Sequence, residues 1–326
     1  AYPAGVLVGW TATGTRPEFD VVTGISTGAL LGAFAFLGPT EDAELQRAYT
    51  TLSNRDVYRR NRLLRGLLSD ALADSRPLAG VIERTANDER IARFAAEHRT
   101  GRRFYVGTTD LDARRAVVWD MGAIAARGTP ESRALFRKVL LASAAIPGFF
   151  PPVKIPMTVD GRPYTERHID GGTTSSMFFA PPYVPPGARD ALPPGWLYGS
   201  NVYILVAGKL YPDPTPVKAR TFANASNAIS TVVYDQTRSD LHKLFLLTAM
   251  TGMSYNVEAI PAELNTPLES TDFDPAEMSR LFDAGAAWAR SGPPWRHTPP
   301  GYEPGEGAKY RAGPVLTATG ATAGGA

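Results

Sequence analysis

The stretch from Phe19 to Gly38, FDVVTGISTGALLGAFAFLG, constrains this chain more than any other. Phe19-Asp20-Val21-Val22 is a short apolar run of the kind that forms a buried strand. Gly24-Ile25-Ser26-Thr27-Gly28 is a tight turn, and Ala29 to Leu37 is an apolar run of good helix formers closed by Gly38-Pro39. A strand, a G-x-S-x-G turn and a helix in that order form the context in which a serine is held at a sharp elbow with its Oγ exposed. The sharpness of such a turn demands very small neighbours, which Gly24 and Gly28 supply. The helix that follows starts at the serine. Its positive end and the N–H of Thr27 therefore point at any oxyanion formed on Ser26.

Composition narrows the classes of function. The 326 residues suffice for one large α/β domain with insertions. With 34 basic and 32 acidic residues the net charge is +2, so no global field favours nucleic acid. The absence of cysteine excludes disulfides, thiol catalysis and cysteine metal sites, and leaves the compartment open. The four histidines, His98, His168, His242 and His297, lie far apart and form no H-E-x-x-H pair, so neither a metal nor another cofactor is expected. No run reaches the roughly 18 apolar residues that a membrane-spanning helix needs. The first residues, Ala1 to Thr13, read as a buried helix with Pro3 in its first turn, as if the chain began within a domain.

Along the remaining chain, Thr40 to Ser53 is expected to be helical. Asn54 to Asp70 sets Arg55, Arg59, Arg60, Arg62 and Arg65 among leucines. Two readings stand for it: an amphipathic lid making transient contact with a membrane surface, or a solvated helix whose leucines face the core. Pro77 to His98 is a helical region, and Arg103 to Thr109 and Ala116 to Trp119 are strands. Asp110 and Asp112 follow the first of these and suit turn capping. Pro130 to Ala145 is a helix stopped by Ile146-Pro147-Gly148. Val153 to Val159 and Tyr164 to Asp170 are strands, and Asp170 is followed by Gly171-Gly172. Pro181 to Gly195 holds six prolines and reads as an irregular loop. Asn201 to Ala207 and Ser254 to Ile260 are strands around a long helical region, Val217 to Thr251. Asp274 to Arg290 is a capped late helix. The expected division is a domain over residues 1–290 and a Gly/Pro-rich, poorly ordered tail over 291–326.

A serine hydroxyl is a weak nucleophile and needs a base. An α/β-hydrolase would supply a histidine late in the chain, as His242 or His297 could. That fold, however, requires several strands before its elbow, and here the serine is residue 26. The chain instead resembles the patatin-like phospholipases over Ala1 to Gly172. The elbow Gly24-Ile25-Ser26-Thr27-Gly28, the run Ala142 to Pro152, which looks like the family's A-x-A-x-P-x-x-F-x-P element, and Asp170-Gly171-Gly172 carry the resemblance in the family's order. The helix Ala1 to Trp10 resembles the one that follows that family's glycine-rich oxyanion loop.

The resemblance implies a three-layer α/β/α fold with a central, mostly parallel sheet. It also implies a Ser–Asp dyad in which Ser26 is the nucleophile and Asp170 the base, with no catalytic histidine. The expected activity is hydrolysis of lipid acyl esters of the phospholipase A or lysophospholipase type. The family's glycine-rich loop would lie before Ala1, which leaves Thr27 N–H as the oxyanion donor within this sequence. For an acyl groove the candidates nearest the motifs are Leu30, Leu31, Phe149 and Phe150. Two alternatives remain open on sequence alone: a short-chain carboxylesterase of the same fold, and a non-catalytic protein that keeps the fold.

Overall fold

The computed structural model describes residues 1–60, 71–179, 195, 197–211, 221–266, 271–292, 294–303 and 306. The leucine-rich half of Asn54 to Asp70, the proline-rich loop over 180–194 and the segment 307–326 lie outside the described residues.

The fold is α/β. Helix α1 (Tyr2–Ala12) leads to strand β1 (Val21–Ile25), the elbow and helix α2 (Thr27–Leu37). Helices α3 (Asp42–Thr50) and α4 (Asn54–Val57) follow, then the short strands β2 (Arg59–Arg60) and β3 (Ala73–Asp74). The single helical region expected over Pro77 to His98 is two helices, α5 (Arg76–Thr85) and α6 (Asp88–Arg99). The break falls at Asn87, whose side chain accepts the N–H of Arg90 and so starts a new helix. Strands β4 (Arg103–Asp110) and β5 (Arg115–Asp120), helices α7 (Met121–Ala126) and α8 (Pro130–Ser143), and strands β6 (Val153–Val159) and β7 (Arg162–Asp170) complete the half that holds the motifs. The C-terminal half consists of β8 (Asn201–Lys209), the long helix α9 (Thr221–Thr251), β9 (Ser254–Ile260) and α10 (Pro275–Ser291).

Parallel pairing runs between β1 and β4 and again between β8 and β9, while β5, β6 and β7 extend the main sheet in the antiparallel sense. Two parallel strands need a crossover between them, and α9 lies between β8 and β9 in the chain. Strand β5 occupies one edge of β4 from Tyr105 to Asp110. The other edge is therefore shared end to end. β1 pairs with Arg103 to Gly107, and β7, running the opposite way, pairs with Asp110 to Thr108. Ile25 lies opposite Gly107 and Asp170 opposite Thr108, so the two strands stop head to head at adjacent registers.

The main core packs α2, α5, α6 and α8 on this sheet, with Phe36, Phe94 and Phe104 stacked at centroid separations of 5.4–5.7 Å. Helix α1 is apolar around most of its circumference and is buried from Tyr2 to Leu7 and again at Gly9 and Trp10. It meets α10 through glycines: a Cβ on Gly5 would lie 1.9 Å from the Phe282 carbonyl oxygen, and one on Gly285 would lie 2.2 Å from that of Tyr2. Part of the segment expected to be a loose tail lies against this body. Trp295 packs on Trp10, Tyr203 and Trp288, and Arg296 forms a bridge with Val257.

Candidate active site

Ser26 is the first residue after β1 and caps the start of α2. Its backbone has φ 54° and ψ −130°, a region that a non-glycine residue enters only when its surroundings hold it there, at a cost of about 1–3 kcal/mol. Steric crowding explains Gly24: a Cβ there would sit 2.4 Å from the carbonyl oxygen of Gly28. At Gly28, by contrast, a Cβ would meet nothing within 4 Å. Gly28 is thus required by no packing contact, although it completes the motif.

Asp170 ends β7, where a short 3-10 turn over Gly171–Thr173 begins. The Ser26 Oγ donates to Asp170 Oδ2 at 2.6 Å, across 144 residues of chain. Asp170 Oδ1 accepts the Gly172 N–H at 2.8 Å, which fixes the carboxylate plane. Its own N–H donates to the Ala145 carbonyl at 2.9 Å and ties the strand end to the Ala142–Pro152 run. Glycine is required at 171 because a Cβ there would lie 2.6 Å from the Gly107 oxygen, whereas at Gly172 the nearest atom is Asp170 Oδ1 at 3.1 Å. Asp170 is only 6% exposed. Burial disfavours its charge and pushes its pKa up to about 6, against the opposing hydrogen bonds from Ser26 and Gly172.

Thr27 opens α2 and is exposed. As a first-turn residue its N–H has no acceptor within the helix, and the helix dipole adds partial positive charge there. The hydrogen bonds of three histidines go elsewhere. His168 is fully buried and bonds Thr108 Oγ1 and Glu166 Oε2, His242 bonds the Arg238 carbonyl, and His297 bonds the Tyr255 carbonyl. His98 lies 3.6 Å from Asp120. Asp110 and Asp112 do not join the site: Asp110 accepts the N–H groups of Asp112 and Ala113 in a turn, and Asp112 pairs with Arg167. Among the described residues no cluster of three or more metal-ligating side chains occurs.

An apolar pocket opens from Ser26 and Thr27. Leu30, Ala33 and Leu37 of α2 line it, together with Phe149 and Phe150. Leu31 is not part of it. The helix turns Leu31 to the other side, into the cluster of Ala4, Leu7, Leu45 and Phe282. No helix among the described residues is long and apolar enough to cross a membrane.

One residue of this constellation has no counterpart in the sequence reading. Ser143, at the end of α8, accepts the Ser26 N–H at 2.9 Å and donates to the Gly107 carbonyl at 2.7 Å. Its place inside the Ala142–Pro152 run is the signal that marks it in the sequence.

Among solved structures, the crystal structure of VipD from Legionella pneumophila is similar to this chain at 11% identity and a TM-score of 0.35, covering 89% of this chain and 65% of that one. The chain thus spans 65% of that protein's length in the crystal. No curated protein matches it. The family model described as patatin-like phospholipase matches residues 1–183, more than half of the sequence, and the match takes in the elbow, the Ala142–Pro152 run and Asp170-Gly171-Gly172. The chain belongs to the patatin-like phospholipase family.

Proposed function

We propose that this chain is a serine hydrolase of carboxylic esters in lipids, of the phospholipase A or lysophospholipase type, working through a Ser26–Asp170 dyad and an acyl-enzyme. The observation that carries the reading is the 2.6 Å hydrogen bond from Ser26 Oγ to a buried Asp170 carboxylate at the mouth of an apolar pocket.

In the first step Asp170 takes the Ser26 hydroxyl proton as Oγ attacks the ester carbonyl. The tetrahedral oxyanion gathers at the N-terminus of α2, where Thr27 N–H donates to it. Collapse expels the alcohol, which leaves with the proton held by Asp170. In the second step Asp170 deprotonates water, which attacks the acyl-Ser26 carbonyl. Collapse breaks the bond to Ser26 Oγ, Asp170 returns its proton to that oxygen, and the fatty acid is released with Ser26 regenerated. A carboxylate with an ordinary pKa is a feeble base, and burial that lifts Asp170 to about 6 brings it closer to neutral working pH while leaving it largely ionised there. Gly24, Gly171 and Gly172 keep the elbow and the carboxylate in this geometry.

The pocket supports long-chain lipid substrates over short-chain esters, since Leu30, Ala33, Leu37, Phe149 and Phe150 offer an acyl chain an apolar lining that begins at the nucleophile. Substrate would arrive by transient contact with a lipid surface. We assign the activity to residues 1–290, with Trp295 and Arg296 as a strap against that body.

Labelling by a fluorophosphonate probe, together with hydrolysis of p-nitrophenyl esters of increasing chain length, tests the reading. Wild type is expected to label and to prefer chains longer than butyrate, and Ser26→Ala is expected to lose both labelling and turnover. Full activity in Ser26→Ala would sink the assignment. Lack of labelling in a folded wild type would favour the non-catalytic alternative, and a preference for acetate the short-chain one.

A further inference from the structure

The nucleophile sits at a break in the sheet. Along one edge of β4, β1 ends at Ile25 opposite Gly107, and β7 begins its pairing at Asp170 opposite Thr108. An unbroken strand would continue the ladder across this point. Here the ladder stops, Ser26 turns away at positive φ, and the two residues that must meet lie on different strands separated by the gap. A strained backbone at such a point persists only when neighbouring contacts over-determine it.

We infer that Ser143 is the positioning residue of this site, whose hydroxyl splints the break between β1 and β7 and thereby holds Ser26 against Asp170. Its Oγ accepts the N–H of Ser26 at 2.9 Å and donates to the carbonyl of Gly107 at 2.7 Å. One hydroxyl thus joins the first residue past β1 to the last residue of β4 that β1 covers. The donor and acceptor roles are fixed, because a backbone N–H can only donate and a carbonyl can only accept. Ser143 is 0% exposed, so water cannot readily replace either bond if the hydroxyl is removed. It is carried by the C-terminal end of α8. Two residues later the Ala145 carbonyl accepts the Asp170 N–H at 2.9 Å. The same short segment therefore grips both halves of the dyad, Ser26 through a side chain and Asp170 through the main chain. This explains why a run lying between the two motifs in sequence belongs with them in space.

The inference rests on the dyad reading for its kinetic consequences, but its geometric consequence is separable. Without the splint, Ser26 is free to relax from φ 54° and its Oγ withdraws from Asp170. The carboxylate then loses a hydrogen bond that favours its charged form, and its pKa rises further. Asp170 accepts hydrogen bonds from Ser26 and Gly172, and the nearest ionisable residue along its own strand is His168, bonded to Thr108 and Glu166, with Arg115 beyond at 3.6 Å from Glu166.

Two variants test the inference in the full chain, Ser143→Ala and Ser143→Cys, the latter close in size but a weak donor and acceptor. In Ser143→Ala, kcat on a long-chain p-nitrophenyl ester should fall about 10- to 100-fold, the scale of a nucleophile misplaced by about 1 Å. KM should stay within about threefold, because the apolar pocket is untouched. The acid limb of the rate profile should move upward, and Ser143→Cys should fall between the two. Independently of any activity, the Asp170 carboxyl carbon followed by NMR should titrate higher in Ser143→Ala than in wild type by roughly half a unit or more. The Ser26 amide should also lose protection from hydrogen exchange. A serine that merely satisfied Gly107 would lower the melting temperature without moving the Asp170 titration, and that result would overturn the assignment. So would an unchanged kcat. If the wild type proves inert to esters and to the probe, the hydrolase reading falls, and the Asp170 titration and Ser26 exchange still decide for or against Ser143. Should Ser143→Ala fail to fold, Ser143→Cys carries the same readouts.

Discussion

Asp170→Asn should separate catalysis from stability in opposite directions. The amide keeps the shape of the carboxylate. Its oxygen can accept the Gly172 N–H, and its nitrogen can donate to Ser26 Oγ, so the two hydrogen bonds that fix the wild-type side chain have replacements. What the amide lacks is the ability to take a proton, and activity should fall by a factor of 10³ or more. The stability effect follows from burial. Asp170 titrates at about 6 in the folded chain against 3.8 when unperturbed, a raised pKa. For a group of that sign, the stabilising contribution is complete below the unfolded value and is lost as pH rises through the folded value. The difference of about 2 units corresponds to a penalty on the order of 3 kcal/mol for carrying the charge at pH 7. Other groups titrate over the same range, so the difference between the two proteins is the quantity to measure. Denaturant unfolding of wild type and Asp170→Asn at intervals from pH 3.5 to 8 should show the variant gaining on wild type between about pH 4 and 6. It should then hold a constant advantage above pH 7. A variant that is less stable than wild type at pH 7, or a difference that does not change with pH, would refute the claim that the carboxylate is held ionised against its burial. Substantial residual turnover would refute its role as base.

Other expectations follow from the same geometry. The rate of wild-type hydrolysis should fall about tenfold per pH unit below about 6, where Asp170 becomes protonated, and a flat profile down to pH 5 would argue for another base. Gly24→Ala should unfold or severely destabilise the elbow, since its Cβ would lie 2.4 Å from a carbonyl oxygen. Gly28→Ala should instead hold or slightly raise the melting temperature, because the position is helical and open. Ala33→Trp should cut kcat/KM for long-chain esters at least tenfold while changing that for acetate by less than about threefold, and an equal loss on both would place the acyl chain elsewhere. His242→Ala and His297→Ala should retain turnover; loss of about 10⁴-fold in either, with normal folding, would restore a Ser–His–Asp reading.

Much of the site was legible in the chain because its parts are local. The apolar run before Gly24, the glycine turn and the helix formers after it dictate a strand, an elbow and a helix without reference to anything distant. Asp170-Gly171-Gly172 likewise announces a strand end with room for close backbone approach, and Gly171 proves to need that room. What lay beyond the sequence is everything that depends on which elements become neighbours. Strand direction is one case. A strand's pattern of apolar residues is the same read either way, so nothing in Tyr164 to Asp170 says that β7 runs antiparallel to β4 and meets β1 head to head. Side selection is another. Leu30 and Leu31 are equivalent in the sequence, but a helix turns by 100° per residue, and only the placement of α2 between the pocket and α1 sends Leu30 to one and Leu31 to the other. The pKa of Asp170 is a third, since desolvation depends on the walls that the rest of the fold builds around a residue. Ser143 is the last. The Ala142–Pro152 run marks its segment in the sequence, but the residue acquires a role only because the sheet breaks beside it, where one buried hydroxyl has the donor and the acceptor that the gap requires.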